Sequence, residues 1–211
     1  MAIDPVLTLA QWFSPAYPVG AFAYSHGLEQ AIADGDVTDA ASLQAWTHDV
    51  LHHGAGRNDA LFLAAAYHGP DPVPIDAHLR AFASSKERLM EADLLGRAFA
   101  EITASLTGHD LSQLAYPVAV GRAAALVGLP VELTTAMFLQ AFVSSLVSVG
   151  QRLIPIGQTD GQTIIAALAA DCQQIARDTE AGDLSDLSSS AFLSDIAAMR
   201  HETLTSRVFR T

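Results

Sequence analysis

Val131-Glu-Leu-Thr-Thr-Ala-Met-Phe-Leu-Gln-Ala-Phe-Val-Ser-Ser-Leu-Val-Ser-Val-Gly-Gln-Arg-Leu153 reads as one long helix with almost no polar face. Met137, Phe138, Leu139, Phe142, Val143, Leu146 and Val147 carry apolar character nearly all the way round the helical wheel. A helix of that kind belongs at the centre of a bundle, covered by other helices. Its oiliest part, Ala136 to Gly150, is interrupted by Gln140 and three serines and is too short to span a bilayer, so no membrane partner is expected.

Helical patterns flank it on both sides. Leu111 to Val127 precedes it, with a kink or start at Pro117, and Gly128-Leu-Pro130 closes that segment. Asp76 to about Leu106 is helical, with a break expected near Gly96. Further upstream lie helices from about Asn58 to His68 and from Ala40 to His53. The second is capped by Thr38 or Asp39, carries Leu43, Trp46, Val50 and Leu51 on one face, and ends at Gly54-Ala-Gly56. Downstream, a turn over Pro155 to Gly161 leads into a helix from about Gln162 to Asp178. Ala181 to Ser190 is rich in Ser, Asp and Gly and reads as a mobile linker. A short helix over Ala191 to Met199 and a tail follow. No long alternating run exists, so strands are not expected. The reading is all-α: a single-domain bundle of about eight to ten helices with a short C-terminal tail. It divides into a helical domain over 1–180, a polar linker over 181–190, and a partner-binding helix and tail over 191–211.

Composition narrows the function. Apolar residues make up 50% of the 211 and charged ones only 16%, so some apolar surface is expected to be covered by partners. The net charge of −12 repels phosphate backbones and excludes nucleic acid as a partner. Cys172 stands alone, so neither an internal disulfide nor a thiolate zinc cluster can form, and it reads as buried filler. Met1-Ala-Ile-Asp-Pro5 lacks the basic start of a secretory leader, which points to the cytoplasm.

Special residues concentrate in Ser14-Pro-Ala-Tyr-Pro-Val-Gly-Ala-Phe-Ala-Tyr-Ser-His-Gly-Leu-Glu29. Pro15 and Pro18 fix φ, Gly20 permits a left-handed turn, and a helix can run from about Ala23 to Asp34 with Gly35 as its stop. That would place Tyr24, Ser25 and His26 in its first turn. In one reading Phe13, Tyr17 and Phe22 strap a helical core; in the other the stretch is a functional surface.

Chemistry of its own is hard to find. Ser25 and His26 are sequence neighbours, which do not face each other on a helix. No nucleophile elbow, phosphate loop or dinucleotide fingerprint is present. His48 and His52 stand four apart, with Asp49 and His53 nearby, and are weak metal-ligand candidates, as are Met199, His201 and Glu202. An exposed polar helix face is the favoured reading of His48 and His52, because spacing fixes no third ligand. No cofactor and no catalytic residue is assigned. The competing reading is an independent metal-dependent or small-molecule enzyme with a helical pocket.

Three stretches carry a resemblance. Ser14 to Glu29 resembles the opening motif Ser-Pro-Ala-Leu-Pro-Val-Gly-Gly-Phe-Ser-Tyr-Ser-x-Gly-Leu-Glu of the urease accessory protein F family (UreF), with Tyr17, Ala21 and Ala23 as departures. Ala21 in place of Gly implies that this position needs no positive φ. Arg152-Leu-Ile-Pro-Ile-Gly-Gln158 resembles the family's Arg-Leu-x-Pro-Leu-Gly-Gln turn. Met199-Arg-His-Glu-Thr-Leu-Thr-Ser-Arg-Val-Phe209 is similar to its C-terminal motif, with Thr205 in place of Tyr.

The resemblance implies a cytoplasmic, non-enzymatic helper in nickel loading of apo-urease. It implies partners as well: a UreD/UreH-type accessory protein, the nickel-binding GTPase UreG, and a second copy of the chain. The residues expected at the partner surface are Tyr24, Ser25, His26, Glu29, Arg152, Gln158, Asp160, Gln162, Arg200, His201, Glu202, Arg207 and Phe209. Changes such as Glu29→Ala or Gln158→Ala are expected to cost little stability. The tail is expected to be mobile until a partner covers Val208 and Phe209, when Arg207 forks onto a carboxylate or carbonyls.

Overall fold

The structure is a computed structural model and describes residues 4–111 and 113–210. Among these it contains ten α-helices, two short 3-10 turns and no strand. The helices are α1 (Pro5–Trp12), α2 (Leu28–Asp34), α3 (Ala40–His53), α4 (Ala55–His68), α5 (Val73–Phe82), α6 (Lys86–Thr107), α7 (Tyr116–Val127), α8 (Val131–Leu153), α9 (Gln158–Asp178) and α10 (Phe192–His201). They form a single all-α domain.

α8 begins after Pro130 and ends at Leu153, with Ile154 as an extended C-cap before Pro155. It packs along α9 and also meets α1, α2, α3, α4 and α7. Val143, Leu146 and Val147 are fully buried. By length and composition alone α8 could cross a membrane, yet here it is the hub of the bundle. It is not covered all round, however. Met137, Gln140, Ser144 and Ser148 line an open groove against residues 13–22, so the apolar wheel overstates its burial.

The caps explain the helix starts. Asp39 and Ser42 form a reciprocal capping box on α3, and Ser85 caps α6. Gly54 separates α3 from α4, but Gly56 lies inside α4 against Leu51. The expected break at Gly96 falls instead at Ala83–Ser85. Gly96 sits within α6, where the chain around Leu114 crosses so closely that a Cβ would stand 2.2 Å from a carbonyl oxygen. Leu111 to Ala115, expected to be helical, precedes α7, which starts at Tyr116 with Pro117 in its first turn; Ser112 lies outside the described residues. α9 starts four residues earlier than expected, at Gln158.

The apolar centre is built by α4 and α7. A Cβ on Gly121 would lie 2.0 Å from Leu63 O, so only glycine lets these backbones approach. Trp12 packs edge-on against Phe99 at 5.2 Å, and Tyr17 donates to or accepts from Thr103 at 2.8 Å. Thus Tyr17 straps the core, Phe13 is half-buried, and Phe22 stays exposed. Cys172 is buried, which pushes its thiol up to about 12.

Residues 181–190 lie along α4 and the end of α3. Asn58 exchanges hydrogen bonds with Ser188 in both directions, at 2.6 and 3.2 Å. Arg57 donates to Asp186 O, and Ser190 N and Ala191 N both donate to His53 O. A low apolar content predicts mobility, but it does not count the backbone groups that Asn58 and Arg57 can satisfy.

Candidate partner-binding site

The opening motif enters by a route that hydrophobic spacing does not reveal. Gly20 is left-handed (φ 82°), as expected, and Ala21 to Ala23 form one 3-10 turn without positive φ at Ala21. Tyr24 is extended, and His26 (φ 53°) and Gly27 (φ 78°) are both left-handed. α2 therefore starts at Leu28, and Tyr24, Ser25 and His26 precede it instead of occupying its first turn. A Cβ on Gly27 would fall 2.6 Å from Ala198 N, so α10 rests directly on this turn. The two left-handed residues aim His26 toward α6 and Glu29 toward the C-terminus.

Glu29 is the knot of the site. Its carboxylate accepts from Val208 N at 2.7 Å and Phe209 N at 2.9 Å. His201, fully buried, has Nε2 at 3.2 Å from Glu29 and Nδ1 at 2.8 Å from Glu87. Carboxylates only accept, so both contacts need a proton between nitrogen and oxygen. Arg207 donates to the other oxygen of Glu87 at 2.7 Å. Two acids thus face one arginine and one histidine, all buried except Arg207, which reaches solvent. Phe209 is buried, with the Arg152 guanidinium 5.7 Å above its ring. Arg210 N donates to Ala23 O. The three stretches quoted above, far apart in sequence, meet here.

This changes two expectations. The tail is docked on its own body without a partner, because Glu29 supplies acceptors for its backbone and Phe209 finds a pocket. Glu29 is also no bland surface residue. Removing it would strand two backbone N–H groups and His201.

A second ionic cluster lies one helical turn deeper. Glu91 contacts His26 at 2.9 Å and Arg88 at 2.7 Å, and Arg88 reaches Asp59 at 3.4 Å. Burial opposes ionisation of Glu91, but Arg88 and His26 outweigh it and hold the carboxyl at about 2. Asp59 is pushed up to about 6 by burial, with Glu91 repelling it and Arg88 only partly compensating. Burial and the Arg88 charge lower the His26 pKa. The cluster separates two cavities of about 70 and 60 Å³. Each has room for a few waters, not for a substrate.

The other expected residues sit outside the junction. Gln158, Asp160 and Gln162 are exposed at the start of α9, where Asp160 accepts from Gly157 N at 3.0 Å. Arg200 pairs with Asp34 at 2.7 Å, and Glu202 accepts from Lys86 N. His48 and His52 lie on α3, partly exposed, away from the tail. Asp59, Glu87, Arg88 and Glu91 were missed. Glu87, Arg88 and Glu91 look like an ordinary solvated helix face, whereas Asp59, a carboxylate heading the apolar run of α4, was a legible signal.

α10 packs with an inverted face. Ser194, Ala197, Ala198 and His201 point inward, while Phe192 (67% exposed), Leu193 (71%), Ile196 (50%) and Met199 (51%) point outward. Val208, on the tail, is also exposed.

A family model describing UreF matches residues 37–169. Urease accessory protein UreF of Ruegeria pomeroyi is 56% identical over 98% of this chain and 96% of its own length. The proteins of that name from Roseobacter denitrificans and Cereibacter sphaeroides strain KD131 are 52% and 50% identical, covering 100% and 98% of this chain and 96% and 98% of their own. The chain belongs to the UreF family of urease accessory proteins.

Proposed function

We propose that this protein serves urease maturation as a non-catalytic scaffold. Its C-terminal helix and tail bind a UreD/UreH-type accessory protein, and the assembly recruits and regulates the GTPase UreG so that nickel enters apo-urease. The protein acts in the cytoplasm, as a homodimer. The observation that carries this reading is the outward apolar face of α10. A helix that packs by Ala and Ser while exposing Phe192, Leu193, Ile196 and Met199 leaves its larger residues for another surface. The adjoining tail adds Arg207, whose side chain is 37% exposed beside the buried Glu87.

Co-expression with the UreD-like and UreG-like proteins tests it. The Ile196→Asp/Met199→Asp double variant should remain folded and lose both partners on affinity capture. Capture of both at the parental level would overturn the assignment of this face.

A further inference from the structure

We propose that His48 and His52 of α3, together with Asp171 of α9, form a binding site for one divalent transition-metal ion. Sequence spacing offers only the two histidines. The fold adds the carboxylate, because α3 packs across α9. One donor atom from each of the three side chains lies within 4.8 Å of the others.

The decisive feature is His52 Nε2. It is shut off from solvent and makes no hydrogen bond. Yet it stands 3.2 Å from Asp171 Oδ1, close enough to contact but misaligned for an N–H···O bond. A ring nitrogen held against a carboxylate oxygen without a well-directed proton is poorly satisfied. A cation shared by the two resolves this. Two donors bound to one ion at about 2.0–2.1 Å stand about 2.9–3.4 Å apart at octahedral or tetrahedral angles. The observed separation falls in that span.

His48 is one helical turn from His52, its ring 4.4 Å away and tilted by 32°. With its side chain 45% exposed, it has the freedom to rotate onto the ion. Asp49 contacts His48 at 3.6 Å and adds negative charge beside the site. Two imidazoles and one carboxylate select Zn(II), Ni(II) or Co(II) over Mg(II), which prefers oxygen donors. Three protein ligands at a partly open surface leave a position for water or an incoming ligand, so the ion is exchangeable.

The test uses the full chain with any affinity tag removed. Calorimetric titration with Zn(II) and with Ni(II) should show one ion per chain, and titration with Mg(II) none. His52→Ala should weaken binding by about tenfold or more, a change of about 1.4 kcal/mol per decade. Asp171→Asn should weaken it several-fold. Because the ion would tie α3 to α9 and bind only the folded chain, Zn(II) should raise the parent's melting temperature and not that of His52→Ala/Asp171→Asn. Without metal, circular dichroism should show the variants as folded as the parent, since these side chains are partly exposed. Should His52→Ala be misfolded, Asp171→Asn alone decides. The proposal is overturned if the parent holds no transition-metal ion, or if the folded variants hold it as tightly as the parent.

Discussion

The α4–α7 contact and the tail junction are packed with similar closeness by opposite chemistry. Between α4 and α7, Gly121 lies against Leu63 O, and Ala60, Leu63, Ala64 and Val118 are fully buried. At the tail junction, Glu29, Glu87, His201 and Arg207 meet. The first contact gains from excluded water and close packing, which are always on. The second depends on charges that must stay paired, and it gives little net stability while punishing any missing partner. Phe209 ties this region to the apolar core, while its charges hold the tail in place.

The sharpest way to break the comparison is to put a charge where none is tolerated. Val143→Asp places a carboxylate on the buried face of α8 with no cation to meet it. We expect a loss of several kcal/mol, read by urea denaturation. Stability equal to the parent would show that α8 is not the hub of the core.

Removing one partner from the charged region should act locally. Glu29→Ala should cost about 2–3 kcal/mol, less than the core change, because two backbone N–H groups and His201 lose their acceptor. Limited proteolysis should then cut near residues 203–208 while the body survives. An uncut tail would mean that Phe209 burial alone anchors it.

The deeper cluster sharpens the contrast through pH. Asp59 in the folded chain titrates near 6, above its ordinary value of 3.8, so the folded state binds the extra proton between them. Its contribution is therefore favourable below this window and is lost as pH rises through it. Glu91 behaves oppositely: held at about 2 against an ordinary 4.5, it stabilises above pH 4.5 and loses that as pH falls toward 2. The difference in stability between parent and Asp59→Asn should therefore change by up to about 3 kcal/mol from pH 4 to pH 7, against the parent. A flat difference would place Asp59 in contact with bulk water.

How much of this was legible depends on the range of each interaction. α8 was legible to the residue because Pro130 and Pro155 bracket a run with one composition. α3 was legible because Asp39 caps it. The start of α2 was not, since two consecutive left-handed residues, His26 and Gly27, leave no periodic trace. Gly96 misled for a physical reason: a helical glycine can mark a crossing chain as readily as a break. The three motifs were visible one by one, but their meeting through Glu29 and Phe209 spans most of the chain and follows from tertiary packing alone. Asp171 joined His48 and His52 for the same reason.

The smallest effect on stability should accompany the largest effect on function. Ile196 and Met199 are half-exposed on α10, so charges there should change stability by about 0.5 kcal/mol or less. Urease activity in a strain lacking the native gene, complemented with Ile196→Asp/Met199→Asp, tests the central claim most directly. The account predicts a protein that melts like the parent but restores less than about a tenth of the parental urease activity, one decade in the underlying equilibrium. Parental activity from that folded variant would contradict it.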